Sequence, residues 1–164
     1  MGLAFEIERK FLVHGDEFLR SHESHIKIRQ GYLSTDPSRI VRVRLNQYSD
    51  GCDSKGILTI KGLGCDQGIS RLEWETEIVF SQAEKLFDLC LPSFIEKTRY
   101  FVPYKGFNFE VDVFDGANRG LILAEIELPE VNTEFERPVW LGEEVTHQER
   151  YSNAALSHQP FTLW

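Results

Sequence analysis

The chain has 164 residues, enough for one domain with a substantial hydrophobic core. Hydrophobic residues make up 41% of it and the formal net charge is −8. This composition indicates a globular protein and disfavours one that wraps nucleic acid, whose phosphates repel an acidic chain. Three cysteines, an odd number without metal-type spacing, do not indicate a disulfide framework or a zinc site.

No apolar run approaches the ~20 residues that a membrane-spanning helix needs. The first residues run directly into a charged strand pattern, and no signal peptide is visible. We therefore expect a cytoplasmic protein without a membrane partner. We see no linker, repeat or low-complexity stretch, so we also expect a single domain over residues 1–164.

The first part of the chain alternates polar and apolar residues with a period of two, which is typical of β-strands. A short helix is expected at Asp16–Ser21, between the first two strands. The glycines of Gly62-Leu63-Gly64 are expected to end the fourth strand. The alternation predicts strands at Ala4–Val13, Ile26–Leu33, Ile40–Gln47 and Gly56–Lys61.

The period changes after the fifth strand. Ser81 and Glu84 form a capping-box pattern, so we expect a helix from Ser81 up to Pro92. A short helical turn is expected near Thr133 and Glu136, and a helix over Glu143–Ser157. The remaining strands are predicted at Arg71–Phe80, Phe94–Val102, Phe107–Phe114 and Leu121–Leu128, with a turn at Lys105-Gly106.

Charged side chains two residues apart recur on these strands, and acidic pairs and basic pairs lie on different strands. Residues two apart face the same side of a strand. We therefore expect a mainly β (α+β) fold in which eight antiparallel strands close into a barrel around a charged tunnel, with a few flanking helices and a C-terminal helix. The apolar faces then point outward, where helices cover them in part and a second copy of the chain could cover the rest as a homodimer.

Such a tunnel has a definite chemistry. Carboxylates from neighbouring strands are oxygen ligands for a hard divalent cation, whereas Lys and Arg suit phosphate oxygens. A cavity with both signs of charge therefore fits a small polyanion together with its metal. A single charged pair is typical of a solvated strand face, so the prediction depends on the joint pattern.

Several motifs of the chain, taken in order, resemble those of a known protein family. Glu6-Ile7-Glu8-Arg9-Lys10 matches the Glu-x-Glu-x-Lys signature of the CYTH family, the triphosphate tunnel metalloenzymes. The chain most resembles the short, single-domain bacterial members. Further segments follow in family order: Gln30-Gly31-Tyr32-Leu33, Val41-Arg42-Val43-Arg44, Thr59-Ile60-Lys61, Arg71-Leu72-Glu73-Trp74-Glu75, Glu96-Lys97-Thr98-Arg99-Tyr100, Phe109-Glu110-Val111-Asp112 and Ala124-Glu125-Ile126-Glu127.

The resemblance implies an eight-stranded tunnel, a substrate with a linear triphosphate, and site residues by position. The phosphate-binding residues are then Lys10, Arg42, Arg44, Lys61, Lys97, Arg99 and Arg150, the last closing the tunnel mouth. The metal ligands are Glu6, Glu8, Asp112, Glu125 and Glu127. Catalytic candidates are Lys10, Glu73, Glu75 and Tyr32, although Tyr32 is also typical of a half-buried packing aromatic.

The resemblance further implies Mg²⁺ or Mn²⁺ in a two-metal site. The function expected is hydrolysis of inorganic tripolyphosphate to pyrophosphate and phosphate, extending to nucleoside triphosphates. Three alternatives stay open: a class IV adenylate cyclase, a thiamine triphosphatase, and a non-catalytic polyphosphate- or nucleotide-binding module. The complete set of acidic residues disfavours the last, because anion binding alone needs no metal ligands.

Overall fold

The computed structural model describes residues 2–65 and 69–164, and within these ranges the chain forms nine strands. Eight of them close into an antiparallel barrel in the order β1-β5-β4-β3-β2-β6-β7-β8, with β8 returning to β1. The strands are β1 (Gly2–Val13), β2 (Ser24–Ser34), β3 (Ile40–Tyr48), β4 (Lys55–Cys65), β5 (Ser70–Ile78), β6 (Ile95–Tyr104), β7 (Phe107–Phe114), β8 (Ile122–Glu127) and β9 (Leu141–Glu144).

The long strand β1 closes the barrel. Its first half, from Gly2 to Ile7, pairs with β5, and its second half, from Glu8 to Leu12, pairs with β8. The short strand β9 lies beside the end of β1. One strand thus joins both edges of a sheet that would otherwise stay open, and no long edge is left unpaired there.

The helices in the described residues are short. They are α1 (Phe80–Phe87), α2 (Asn153–His158), and 3₁₀ turns at Glu17–Arg20, Gly116–Asn118, Glu149–Tyr151 and Phe161–Leu163. None of these helices has the length and apolar character needed to cross a membrane.

The main hydrophobic core lies outside the barrel wall. Phe11, Phe109 and Ile126 point outward from β1, β7 and β8 and are fully buried under Phe18 and Trp140 from the covering loops. A second outer layer forms where α1 covers β3 and β4. There Gly56 gives Ala83 room, because a Cβ at Gly56 would lie 2.3 Å from the Ala83 Cβ.

A third apolar cluster fills one end of the barrel. Ile95, Phe114 and Leu123 occupy the inward face two residues beyond the charged side chains of β6, β7 and β8. Tyr151 and Leu156 from the C-terminal segment pack against them. We call these five residues the apolar plug. They close the interior at the end where β6 begins.

Part of the outer face of β1, β4 and β5 is uncovered. Leu3 and Phe5 are 70% and 66% exposed, and Leu72 faces solvent beside them. The expectation that a second copy covers such a surface stays a prediction.

Several predicted elements differ from the structure. Within residues 2–65 and 69–164 there are nine strands rather than eight. The additional strand β9 includes the first two residues of the helix expected over Glu143–Ser157, and the chain becomes helical only at Glu149. Strand β4 does not end at Gly62 but continues to Cys65 through a register shift after Lys61, which a bulge permits.

The helix predicted after β5 is present, but Ser81 is not its N-cap. Helix α1 begins at Phe80, and its N-cap is Val79, which makes no side-chain capping bond, so Ser81 lies inside the first turn. No helix forms near Thr133. Its hydroxyl instead accepts a hydrogen bond from the backbone N–H of Glu130, which closes a turn.

Candidate active site

Side chains from non-adjacent strands meet inside the barrel. Arg99 of β6 reaches Glu125 of β8 across the intervening β7, with Nη2 to Oε2 at 3.0 Å. Arg42 of β3 reaches Glu73 of β5 across β4 at 3.8 Å. Contacts that skip a strand require a strongly curved wall with these side chains on its concave face, as the alternation predicted.

The first interior network comprises Lys10, Lys97, Arg99, Glu110, Asp112 and Glu125, here called the β6–β8 cluster. Arg99 donates to both oxygens of Asp112 at 2.7 and 2.8 Å and also bonds Glu110. Lys97 Nζ lies 2.5 Å from Asp112 Oδ2. The planar guanidinium therefore holds three carboxylates through four N–H···O hydrogen bonds, one more than a lysine ammonium can donate.

Burial and charge compete within this cluster. Burial lowers the pKa of Lys97 to about 7 against the opposing effect of Asp112, and the neighbouring cations of Arg99 and Arg44 add to the lowering. For Glu125, burial raises the pKa, but Lys10 and Arg99 outweigh it and hold the pKa well below its ordinary value. Additional negative charge would therefore stabilise the charged form of Lys97, and a polyanion supplies such charge.

The second interior network comprises Arg42, Thr59, Lys61, Glu73 and Glu75, here called the β3–β5 cluster. Lys61 Nζ lies 2.5 Å from Glu73 Oε2. The buried hydroxyl of Thr59 donates to Glu75 at 2.8 Å and accepts from Arg42 at 3.1 Å. Within the described residues Arg42 Nε has no hydrogen-bond partner, so a buried donor is free for an anion.

Tyr32 belongs to a hydrogen-bonded chain in the wall. Gln30 donates from Nε2 to the Tyr32 hydroxyl at 3.0 Å and accepts from Arg44 Nε at 2.8 Å. Burial raises the pKa of Tyr32, so its phenol keeps the proton and can donate a hydrogen bond. Tyr32 is fully buried rather than half-buried, and it faces the cationic side of the interior.

Three carboxyl groups at the barrel interior have no ion-pair partner among the described residues. No Lys or Arg of the described ranges lies within ion-pair distance of Glu6, Glu8 or Glu127. Burial, a hydrogen bond to Glu73 and its charge raise the pKa of Glu6 to about 8. Burial and then Glu125 raise the pKa of Glu8 to about 7. The pKa of Glu127 is raised too, by burial and by Glu110.

The raised pKa values come first from burial and then from neighbouring carboxylates, and a bound cation would oppose both effects. Carboxylate oxygens are the ligands that Mg²⁺ and Mn²⁺ prefer, so the residues fit such an ion. In the described part of the chain, no three His, Cys, Asp or Glu side chains are already gathered around one point that could hold a metal. The ligands would therefore converge by side-chain rotation when a cation binds.

The structure brings together all the predicted site residues except Arg150. Arg150 lies in the exposed 3₁₀ turn before α2, where its guanidinium stacks 3.9 Å from the Trp164 ring centre. Neighbouring residues of that segment do reach the interior. Lys10 Nζ donates to the Tyr151 carbonyl at 3.4 Å, and Lys97 Nζ to Asn153 Oδ1 at 3.3 Å.

Four further residues in these contacts were not predicted from the sequence: Gln30, Thr59, Glu110 and Asn153. The first three lie two residues from a predicted site residue on the same strand, so the period of two could have identified them. Glu110 even belongs to an acidic pair with Asp112. Asn153 carries no such signal, because its contact with Lys97 is set by where the C-terminal segment packs.

Residues 4–158 match the CYTH domain. The chain belongs to the CYTH domain family. Within this family, it is 45% identical over 157 residues to an inorganic triphosphatase of Acetivibrio thermocellus, with 95% of each chain covered. It is 39% identical over 155 residues to an inorganic triphosphatase of Nitrosomonas europaea, covering 93% of this chain and 96% of that one.

A solved structure supports the fold of this CYTH chain. A crystal structure described as an inorganic triphosphatase superposes with a TM-score of 0.62 at 37% identity, and 93% of each chain is covered. The predicted family and the closed eight-stranded barrel are therefore confirmed.

Proposed function

We propose that this CYTH protein is a divalent-metal-dependent inorganic triphosphatase that hydrolyses tripolyphosphate to pyrophosphate and orthophosphate. The observation that carries the proposal is the presence, in one enclosed interior, of two clusters of ion-paired Lys and Arg side chains together with carboxyl groups that lack cation partners. The relatives described as inorganic triphosphatases support it, since they match nearly the whole chain.

The phosphate chain would lie between the two clusters. Lys61 and Arg42 face it from one side, and Lys97 and Arg99 from the other. Every one of these cations already shares a carboxylate, so binding exchanges internal ion pairs for ion pairs with phosphate. We keep Lys10 and Arg44 as further phosphate-binding residues, and Arg150 on condition that it leaves its stacking contact with Trp164.

The metal ligands proposed are Glu6, Glu8 and Glu127, with Asp112 and Glu125 as further candidates. Bound Mg²⁺ or Mn²⁺, two ions by our proposal, would neutralise charge on the phosphates and lower the pKa of a coordinated water. Glu6 and Glu8 must lose their protons first, because their pKa values are raised to about 8 and about 7. Glu125 is already ionised. Burial raises its pKa, but Lys10 and Arg99 lower the pKa by more.

In the reaction, a water oxygen bonds to the terminal phosphorus and the bond from that phosphorus to the bridging oxygen breaks. Pyrophosphate leaves with the bridging oxygen, and the water proton passes to a base. Glu73 suits the role of base: burial raises its pKa, but Lys61 and Arg42 keep it below its ordinary value, so it is ionised. Glu75 is the second candidate. Lys10 and Tyr32 would donate hydrogen bonds to oxygens that gain charge.

We also propose that the protein is cytoplasmic, consists of a single domain and acts on a small triphosphate. A homodimer through the uncovered surface around Leu3 and Phe5 would remove apolar area from water.

The test compares phosphate release from tripolyphosphate, ATP and thiamine triphosphate side by side, with Mg²⁺ or Mn²⁺ and with excess EDTA. We expect tripolyphosphate to be the fastest and all hydrolysis to stop in EDTA. Cyclic AMP from ATP would instead indicate a cyclase, and fastest release from thiamine triphosphate a thiamine triphosphatase. Tight binding without turnover would indicate a binding module, and full turnover in EDTA would refute the metal proposal.

A further inference from the structure

The C-terminal part of the chain gives oxygen atoms to two lysines of the barrel interior. It comprises the 3₁₀ turn at Glu149–Tyr151 and helix α2, and we call it the 149–158 segment. The Tyr151 carbonyl accepts a hydrogen bond from Lys10 Nζ at 3.4 Å, and Asn153 Oδ1 accepts one from Lys97 Nζ at 3.3 Å. Both wall lysines are therefore held by an element that lies outside their own sheet.

The two lysines have the same combination of partners. Besides the oxygen from the 149–158 segment, Lys10 Nζ lies 3.2 Å from a carboxylate oxygen of Glu125, and Lys97 Nζ lies 2.5 Å from one of Asp112. An ammonium group has three N–H donors. The two oxygen partners that each lysine has within the described residues leave one N–H of each ammonium for a further acceptor, and a phosphate oxygen is such an acceptor.

The contact of Asn153 has the greater consequence, because Lys97 is cut off from water. The Lys97 side chain is 0% exposed, whereas 13% of the Lys10 side chain is exposed. A buried ammonium that lacks hydrogen-bond partners costs free energy, and Asn153 supplies a partner that water cannot. A carboxamide oxygen carries no net charge. It completes the bonding of Lys97 without neutralising the charge that attracts a polyanion, as a second carboxylate would.

The 149–158 segment is anchored independently of these lysines. Ser152 caps α2 by accepting a hydrogen bond from the Ala155 N–H at 3.1 Å. Leu156 is 0% exposed within the apolar plug, and its carbonyl accepts a hydrogen bond from Asn118 Nδ2 at 3.4 Å. The support behind Asn153 is thus packed and hydrogen-bonded on its own, as a residue that orients another side chain requires.

We propose that Asn153 is a positioning residue for phosphate binding. Its carboxamide oxygen and Asp112 take two of the three N–H groups of Lys97, so that the third faces the phosphate chain. The Tyr151 carbonyl, with the carboxylate partner of Lys10, does the same for that lysine. One short segment thus orients two phosphate-binding ammonium groups through uncharged oxygens. This inference rests on the proposed triphosphatase function, since it concerns the same phosphate-binding site.

The first measurement is steady-state hydrolysis of tripolyphosphate by the parent and by Asn153→Ala. Loss of one hydrogen bond to Lys97 should raise KM by about three- to tenfold, and kcat should stay close to that of the parent because the contact acts equally before and during the reaction. Leu156→Val is the matched control. It disturbs the packing of the same helix but leaves the contact with Lys97 in place, so it should lower the melting temperature without raising KM.

A double-mutant cycle tests whether Asn153 acts through Lys97. The ammonium is absent in a Lys97→Met background, so Asn153→Ala should no longer raise KM there. A similar rise in both backgrounds would mean that Asn153 acts by another route, and it would refute the positioning role. Should Lys97→Met not fold, the comparison with Leu156→Val decides, since equal rises in KM for that variant and Asn153→Ala would overturn the inference.

The outcomes also separate this inference from the proposed function. If the parent hydrolyses tripolyphosphate and Asn153→Ala leaves KM unchanged, the positioning role is refuted while the triphosphatase stands. If the parent hydrolyses no triphosphate, the proposed function fails, and calorimetric titration with tripolyphosphate compares the affinities of the parent, Asn153→Ala and Leu156→Val. An affinity that falls in Asn153→Ala alone would then support the positioning role, and equal affinities, or no binding by the parent, would overturn it.

Discussion

Lys10 and Glu125 lie directly opposite each other on β1 and β8, with Lys10 Nζ 3.2 Å from Glu125 Oε1. The pair joins a proposed phosphate-binding cation to a proposed metal ligand. Glu125 is also held by Arg99 at 3.0 Å, so it keeps a cation partner if Lys10 is removed. The phosphate-binding and metal-binding roles of the pair can therefore be separated by mutation.

Replacement of Lys10 by alanine should mainly weaken substrate binding. A hydrogen bond to a charged group contributes about 1.5–3 kcal/mol, so we expect KM for tripolyphosphate to rise by about 10- to 100-fold in steady-state kinetics. The metal concentration for half-maximal activity should change much less. Lys27→Ala, at an exposed position on the outer face of β2, is the control. An unchanged KM would remove Lys10 from the site.

Glu8→Gln should raise the metal concentration needed for half-maximal activity. Loss of even an outer partner of a metal site costs about 10-fold or more in affinity, and a direct ligand should cost at least as much. The measurement is a Mg²⁺ and Mn²⁺ titration of activity. Glu17→Gln, in an exposed turn outside the barrel, should behave as the parent. A Glu8→Gln protein with the parent's metal dependence and rate would contradict the assignment.

The metal-free protein should lose stability as the pH rises from about 5 to about 7. The pKa values of Glu6 and Glu8 are about 8 and about 7 in the folded protein, above their ordinary value of 4.5. The folded state therefore holds more protons than the unfolded chain in this window, and the free energy of unfolding falls with pH.

Thermal unfolding in EDTA across that window measures the effect. The melting temperature should fall as the pH rises, and Glu8→Gln should flatten the slope because glutamine does not titrate. An equally steep slope in Glu8→Gln would mean that other groups cause it. Above neutral pH the sign reverses for Lys97, whose pKa is lowered to about 7 mainly by burial, so the experiment stays below this range.

Asp112→Asn should destabilise the fold strongly. Asp112 is 1% exposed and bonds both Lys97 and Arg99, so its loss leaves two buried cations short of a partner. Breaking a buried pair costs about 3–5 kcal/mol, which urea unfolding would detect. Glu77→Gln breaks only the exposed pair with Lys55 and should cost about 0–1 kcal/mol. Equal effects would show that the interior pairs are well hydrated.

Gly56→Ala should destabilise the contact between α1 and β4. The added Cβ would lie 2.3 Å from the Ala83 Cβ, so the helix must move, at a cost of about 1–3 kcal/mol. Gly62→Ala on the same strand is the control, because its Cβ would meet Leu72 at an ordinary 3.6 Å. Similar unfolding free energies for both variants would contradict this account of the helix packing.

The barrel was predictable because its signal is local. The alternation of charge along β1, β3 and β7 shows which face each strand turns inward, and the Lys105-Gly106 turn shows which neighbours pair. Lys105 and Gly106 both have positive φ values, 48° and 84°, as a two-residue hairpin turn requires. The site residues were assigned by the resemblance to the CYTH family, and the alternation places most of them on one face of their strands.

The misses share a physical cause, which is tertiary packing. Strand β9 forms because Leu141 is buried in the outer core and pairs with β1, although a helix was expected from Glu143 onward. Strand β4 passes through Gly62 because β5 continues to pair beyond the bulge. The position of Arg150 depends on the Trp164 ring, fourteen residues away in the sequence, and no local pattern reports that contact.

The apolar plug blocks one end of the barrel interior. Because Phe114 and Leu156 are buried at that end, a triphosphate bound as we propose would enter and leave through the opposite end of the barrel. The substrate would enter and the products would leave through the same opening, so the product nearer to that opening would leave before the one behind it. Under the proposed function, the order of product release would then depend on which fragment lies nearer to the open end.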